Sequence, residues 1–492
     1  MTKRKTGALA CVLGDMDLVR PLGLAGVRCA VVGPPGGASA HSRFTERLIP
    51  WEGGCDDALV DRLLRFGAAQ PDKPVLYMEE DAQLLMVSRH RDRLAAVFRF
   101  ALADVDLVET LVDKGRFQAL AERLGLPVPR TRRLRPLPGS EAPELDLRYP
   151  VIVKPLTRRP PWDEIEGLGK AIRLEGPEDL RALWPRLIPV GIDLLAQELI
   201  PGPETRIESH HVYIDDAGAV AGEFTGRKIR TYPVDYGHST ALTITDIDGE
   251  GADVAALGRE IAAGLGLTGV AKFDFKRDPD GRLHLLEINP RFNLWHHLGA
   301  VAGVNLPAIV HADLTGRPRP APAKARPGAC WCHISKDRMA ARDSGVPMAH
   351  WLAWVARCEA KAITPDDPMP FLRPKLDRLL ARFPAAPARP ASPSRDWRTM
   401  KIALISDIHA NLEALQATFD AMRAEGVERI VCLGDIVGYN TDAAACIALL
   451  RQAGAVCIAG NHDRAVTGAI GTEGFSGPAA RAVDWTRRRL DE

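Results

Sequence analysis

The hydrophobic and polar positions alternate in blocks that read first as a small parallel sheet. An apolar run reaches Leu13, a Gly14-Asp15 turn follows, a helical pattern continues through Leu24, and Cys29 to Val32 is apolar again. That is a strand–helix–strand opening. A helix from about Asp56 to Ala69, a strand at Val75–Met78 and a helix from Ala82 onward extend it, so residues 1–105 are expected to form one parallel α/β domain. Gly33-Pro34-Pro35-Gly36-Gly37 reads as a turn, without the Gly-x-Gly-x-x-Gly spacing of a dinucleotide loop. A helix over Asp113–Leu124 is closed by Gly125 and Pro127. Strands and helices then alternate to about residue 315. Pro/Ala/Arg-rich text appears at 317–327 and again at 384–395, where little can pack and a linker is expected. At Met400-Lys401-Ile402-Ala403-Leu404-Ile405 a new strand begins as if a second protein started. The predicted organisation is α/β and α+β multidomain: 1–105, 106–318, a small extension 319–383, a linker 384–399, and a partial α/β sheet over 400–492.

Composition changes this picture little. A chain of 492 residues suggests about three domains. Net charge is +1, so no bulk field favours nucleic acid or membrane, and neither is expected as a partner. Nine Cys in mostly apolar contexts read as small buried hydrophobes rather than a disulfide framework. The apolar stretch at Ala8–Leu13 is too short for a signal segment, and no run approaches the roughly 18 apolar residues of a membrane span. The expected location is the cytoplasm.

Candidate chemistry is concentrated in the middle of the chain. Tyr149-Pro150-Val151-Ile152-Val153-Lys154-Pro155 ends a short apolar strand on a cation, which suits a meeting with an anion. Leu194-Leu195-Ala196-Gln197-Glu198 runs toward a polar turn ending in Glu204. Val270–Phe275 and Leu283–Asn289 make a hairpin in which Glu287 and Asn289 share a face. A two-residue turn between Asp278 and Gly281 would pair Asp274 with Leu285 and bring it to that face, whereas an odd loop would flip the strand. Two carboxylates and an amide oxygen suit Mg²⁺. Asp274 and Glu287 also fit a hairpin salt-bridge face with Lys272 and Arg282. Trp295-His296-His297 either borders a substrate site or starts a packed helix, and Cys330-Trp331-Cys332-His333 reads as a buried strand.

Asp113-Lys114, Ile152-Val153-Lys154-Pro155, Gln197-Glu198-x-x-x-Gly202 and Asp274…Glu287-Ile288-Asn289-Pro290-Arg291 together resemble the ATP-grasp superfamily, nearest its carboxylate–amine and D-aspartate ligase-like branch. The resemblance covers about residues 7–315 and includes Ser42-Arg43 and Gly226-Arg227-Lys228-x-Arg230. It implies ATP held by Lys114 and Lys154 at the phosphates, Gln197 and Glu198 at adenine and Glu204 at ribose. It implies Mg²⁺ on Asp274, Glu287 and Asn289, with Lys228, Arg230 and Arg291 steadying the transferred phosphoryl. The implied reaction joins a small-molecule carboxylate to an amine through an acylphosphate. Homodimers are common among such relatives. The segment Leu156–Gly169, where the resemblance implies a mobile lid over the phosphates, lacks an evident glycine-rich pattern.

A second signature lies at the end of the chain. Strands ending in Ser406-Asp407-Ile408-His409, Gly434-Asp435 and Gly460-Asn461-His462-Asp463 alternate with helices at about 411–424 and 441–453. Parallel strands would bring those ends to one sheet edge, where open α/β sheets bind ligands. The pattern resembles the calcineurin-like metallophosphoesterases over about 400–489. Carried across, Asp407, His409 and Asp435 hold one metal, Asp435 bridges to a second on Asn461, and His462 is the acid. Mn²⁺, Fe or Zn²⁺ is implied where the site is competent. The family's later His ligands have no counterpart after His462, so half of the site is absent from the sequence. The leading expectation is an ATP-dependent ligase fused to this partial domain. Phosphoester hydrolysis through residues 400–492 and a non-catalytic ATP-binding module are the alternatives.

Overall fold

A computed structural model describes residues 7–156, 171–235, 237–373, 401–472 and 475–490. Most of the Leu156–Gly169 segment and the whole 384–399 linker lie outside the described residues. The chain divides into two compact units, Met1–Pro374 and Lys375–Glu492.

The first unit opens with β1 (Ala10–Leu13), β2 (Cys29–Gly33), β3 (Thr45–Pro50) and β4 (Val75–Met78), all parallel in the order β3-β2-β1-β4. β1 and β4 are buried along their whole length, which is why they read as unbroken apolar runs. The helix Asp56–Ala68 buries Leu59, Val60 and Leu63, with two Asp in its first turn and Arg65 in its last, matching its dipole. Two elements escaped the sequence reading: β3, and the helix Val105–Val112 capped by Asp104. β3 has only Ile49 buried, so its pattern carries little strand signal.

A four-stranded antiparallel sheet follows, built from β5 (Thr131–Leu134), β6 (Val151–Pro155), β7 (Ile172–Leu174) and β8 (Leu194–Glu198) in the order β5-β8-β6-β7. Facing it is a seven-stranded sheet, β13-β12-β9-β10-β11-β14-β15. Its members are β9 (Ile207–Ile214), β10 (Val220–Tyr232), β11 (His238–Thr245), β12 (Gly269–Arg277), β13 (Leu283–Asn289), β14 (Cys330–Cys332) and β15 (Ala360–Lys361). The segment after residue 318 is therefore woven into the first unit. β14 and β15 extend its large sheet, Arg20 donates to the carbonyls of Lys361 and Ala362, and the Ser42 hydroxyl donates to Asp367. Cys330, Cys332 and Cys358 pack together as buried thiols.

The second unit is a three-stranded parallel sheet of β16 (Ile402–Ile405), β17 (Arg429–Cys432) and β18 (Val456–Cys457). Helices Leu412–Ala424 and Ala443–Gln452 connect the strands and cover one face through Leu415, Phe419, Cys446 and Leu450. On edge strand β16, Ile402 is 51% and Leu404 67% exposed. Among the described residues no helix is long and apolar enough to cross a membrane.

Candidate functional site

The β12–β13 hairpin differs from the two-residue turn expected. Asp278 donates its N–H to the Arg282 carbonyl, so Pro279, Asp280 and Gly281 form a three-residue loop, with Gly281 at φ 87. A loop of that parity alone would put Asp274 opposite Leu286 and send Glu287 to the far face. A bulge cancels the flip: Phe275 pairs with Leu285 while Asp274 pairs with Glu287, leaving Leu286 as the extra residue. Asp274 thus faces Glu287 directly instead of Leu285. Along β12 the alternation sends Phe273 and Phe275 into the core and puts Lys272, Asp274 and Lys276 on the opposite face.

That face closes one wall of a cavity of about 360 Å³ lined by both sheets of the first unit. Lys154 reaches it from β6, Gln197 and Glu198 from β8, Lys228 from β10, Asp274 and Lys276 from β12, Glu287 from β13, and Lys114 from the helix Lys114–Arg123. Ile152, Leu199, Ile200 and Leu286 add apolar walls. Lys154 Nζ donates to Gln197 Oε1 at 2.9 Å, and Lys114 Nζ to the Pro155 carbonyl at 3.0 Å. Burial, then the neighbouring Lys114 cation, push the Lys154 ammonium down to about 8, with Glu287 opposing. Gln197 donates to Thr131 Oγ1, and Glu198 accepts from the Arg148 N–H.

The carboxylates are tightly held. Asp274 accepts from Ser209 and lies 2.6 Å from Lys272 Nζ, which is 3.8 Å from Glu287. Asn289 Nδ2 donates to Glu287 Oε1 at 3.0 Å. Burial would raise the Asp274 carboxyl, but the Lys272 and Lys228 cations outweigh it and hold it at about 2. The salt-bridge face with Lys272 is thus present alongside the convergence of oxygen donors. Lys272 and Lys276, which pairs with Glu204 at 3.4 Å, were not singled out as site residues. Their signal was available, since residues two apart from Asp274 on a strand share its face.

Two expected phosphate ligands are elsewhere. Lys228 pairs with Leu242 and Arg230 with Ala241, so the intervening bulge turns the two cations to opposite faces of β10. Arg230 makes a bidentate pair with buried Asp337 at 2.8 and 2.7 Å and stacks on Trp354. Arg291 donates to Asp81 and to the Glu79 carbonyl, tying the end of β13 to the segment after β4. Trp295, His296 and His297 start a helix packed inside the core, with His296 Nδ1 accepting from the Asn293 N–H.

In the second unit, ligand atoms of Asp407, His409 and Asp435 lie within 4.8 Å of one another. All three residues have left-handed backbones, at φ 55, 49 and 53, a conformation costing about 1–2 kcal/mol each for a side-chain-bearing residue. Gly460 is required beside them, because a Cβ there would sit 2.2 Å from Asp435 Oδ1. The His462 N–H donates to that oxygen, and the His462 ring lies 4.8 Å from the His409 ring. Burial and then the His409 charge lower the His462 pKa. Asn461 is the exposed first residue of the helix Asn461–Val466. Carboxylate and imidazole donors of this kind fit a divalent transition metal.

Comparison with known proteins matches both regions. Residues 243–336 match the family described as ATP-grasp in the biosynthetic pathway with Ter operon, and residues 400–488 match the calcineurin-like phosphoesterases. A D-alanine–D-alanine ligase from Halorhodospira halophila is 29% identical over 219 residues, covering 40% of this chain and 64% of that protein. An uncharacterized protein of Methanocaldococcus jannaschii is 42% identical over 87 residues, covering 18% of this chain and 36% of that protein. The chain therefore spans less than two thirds of either relative. A biotin carboxylase structure from Campylobacter jejuni aligns over 65% of this chain and 74% of its own, at 15% identity and a TM-score of 0.50, a likeness of fold. The protein combines an ATP-grasp fold with a region, residues 400–488, that matches the calcineurin-like phosphoesterases.

Proposed function

We propose that the first unit is an ATP- and Mg²⁺-dependent ligase that activates a small-molecule carboxylate for attack by an amine. The observation that carries this reading is the convergence of Lys114, Lys154 and Lys228 with Asp274 and Glu287 on one cavity between two sheets. The apolar walls and the Gln197–Leu199 stretch at the end of β8 suit a nucleotide base, and the cations suit its phosphates. Asp274, Glu287 and Asn289 offer oxygen donors that would hold Mg²⁺, which would supply positive charge against the nucleotide's phosphates. Lys154 and Lys228 orient the γ-phosphoryl and offset charge as it is transferred. A substrate carboxylate oxygen bonds to the γ-phosphorus as the bond to ADP breaks. The amine nitrogen then bonds to the acyl carbon, phosphate leaves, and the nitrogen loses a proton. Positioning and charge do the catalysis, so no side-chain nucleophile is needed.

The test is ADP release from MgATP with pooled amino acids, hydroxy acids and amines, comparing the wild type with Lys154→Ala. Acceptor-dependent ADP release that is lost in the variant is expected. Tight MgATP binding with no acceptor stimulating release would reduce the unit to a binding module. A second activity, metal-dependent phosphoester hydrolysis, is favoured by the Asp407/His409/Asp435 cluster alone.

A further inference from the structure

β14 carries two cysteines on one face. Residues two apart on a strand point the same way, so Cys330 and Cys332 turn together while Trp331 packs into the main core. Cys358 ends the helix Met348–Arg357 and leads into β15, whose Ala360 and Lys361 pair with Trp331 and Cys332. The third thiol is thereby brought to the other two, within hydrogen-bonding reach of both sulfurs. All three are unbridged. Their sulfurs do not close around one point as a metal site requires, since Asp407, His409 and Asp435 are the only such group among the described residues. Cys358 instead meets each outer thiol in a pair. The pair with Cys330 is unequal: the Cys358 thiol, helped by the Glu359 N–H, brings Cys330 down to about 7 against the effect of burial. Bonding to Cys330 and Cys332, and then burial, push Cys358 up. At neutral pH a sulfur that is partly thiolate therefore lies beside a protonated thiol. The cluster packs against Trp354, on whose ring Arg230 stacks, and Asp337, the ion-pair partner of Arg230, lies between Cys332 and Cys358 in the chain.

We propose that Cys330 and Cys358 are a peroxide-reactive dithiol whose disulfide fastens the segment that holds Arg230. The Cys330 thiolate attacks one peroxide oxygen, the O–O bond breaks, and a sulfenic acid forms as hydroxide leaves and takes up a proton. The Cys358 sulfur then bonds to the Cys330 sulfur, and its proton departs with the sulfenic oxygen as water. The two thiols together lose two electrons, and the peroxide is reduced to two waters. A small oxidant suits the site, because Cys330 is 6% and Cys358 2% exposed. The new bond closes the stretch that carries Asp337, Trp351 and Trp354, and a closed loop gains less freedom on unfolding.

The experiment maps bonds, not turnover. The full protein, purified under reductant, is treated with hydrogen peroxide while folded, alkylated in denaturant and digested with trypsin for mass spectrometry. The exposed Cys55 and Cys457 report that oxidant was delivered. In the wild type the peptide that begins at Cys358 is expected joined to Cys330 and freed by dithiothreitol. The oxidised protein is expected to unfold at a higher temperature than the reduced one. Cys332→Ser should form the bond as the wild type does, whereas Cys330→Ser should consume Cys358 about tenfold more slowly, for want of the thiolate. Cys330 and Cys358 both alkylated in the wild type, with Cys55 and Cys457 oxidised, overturns the proposal whatever the variants do. A wild-type bond to Cys332 overturns the role of Cys330. A Cys330–Cys358 bond that leaves the unfolding temperature unchanged overturns the fastening.

Discussion

Lys154 combines a cation with an environment that disfavours it, and the sign of the consequence follows from that. Burial and Lys114 pull its pKa down to about 8, so in the free cleft the ammonium is mostly retained at pH 7 and half lost near pH 8. On the proposed reading nucleotide phosphates bind the protonated form, so binding restores the proton. ATP affinity is expected to be flat below about pH 7.5 and to weaken toward tenfold per pH unit above 8. An ordinary lysine would show no such loss until above pH 10. Titration calorimetry from pH 6.5 to 9.5 checks this. Lys154→Ala should bind more weakly at every pH and lack the alkaline fall, and a wild-type profile flat to pH 9.5 would show that Lys154 does not meet the phosphates.

At the scale of elements, the positions that matter were set by irregularities in the ladders. Strand alternation made Glu287 and Asn289 legible as one face, and the Asp274 side could be argued from hairpin parity. Its true register needs a three-residue loop and a bulge at Leu286, two departures that cancel. No local pattern announces a bulge, because Leu286 is apolar whether it faces the core or the cavity. The bulge after Lys228 is compensated only past Arg230, where Thr231 pairs with Ser239, and so Arg230 itself leaves the cavity for Asp337, a partner 107 residues away. β3 and the helix Val105–Val112 were missed because the one is mostly exposed and the other is short. By contrast β1, β4, the helix Asp56–Ala68 and the strand–helix alternation of the second unit were legible from apolar runs and helical spacing alone. The Arg230 clamp has its own consequence. Asp337 is fully buried and also accepts from Thr240 and the Trp351 indole, so removing Arg230 leaves a carboxylate stranded between β10, β11 and the helix Ile334–Asp343. Arg230→Ala is expected to cost about 3–5 kcal/mol in denaturant unfolding while leaving ATP affinity of the folded fraction near that of the wild type. A stable variant with weakened ATP binding would instead return Arg230 to the phosphate site.

For the molecule as a whole, two clusters of donor side chains sit in two compact units. The first gathers lysines around oxygen donors, a pattern for polyphosphate. The second gathers Asp407, His409 and Asp435 on strained backbone at the carboxyl end of a parallel sheet, a pattern for a transition metal. Strain of that kind persists only where the surroundings enforce it, and Gly460 and the His462 N–H do so by closing on Asp435. The cluster that could hold a metal is therefore preorganised. If the units work separately, their variants should separate cleanly. Asp435→Asn is expected to lower Mn²⁺ affinity in the absence of nucleotide at least tenfold, since loss of even a group that only supports a ligand typically costs about 10–100-fold, and to leave acceptor-dependent ADP release unchanged. Lys154→Ala should do the reverse. Equilibrium dialysis for the metal and a coupled ADP assay on the same preparations make the comparison direct. Loss of ADP release in Asp435→Asn, with ATP binding intact, would mean that the second unit acts on the ligase chemistry rather than beside it.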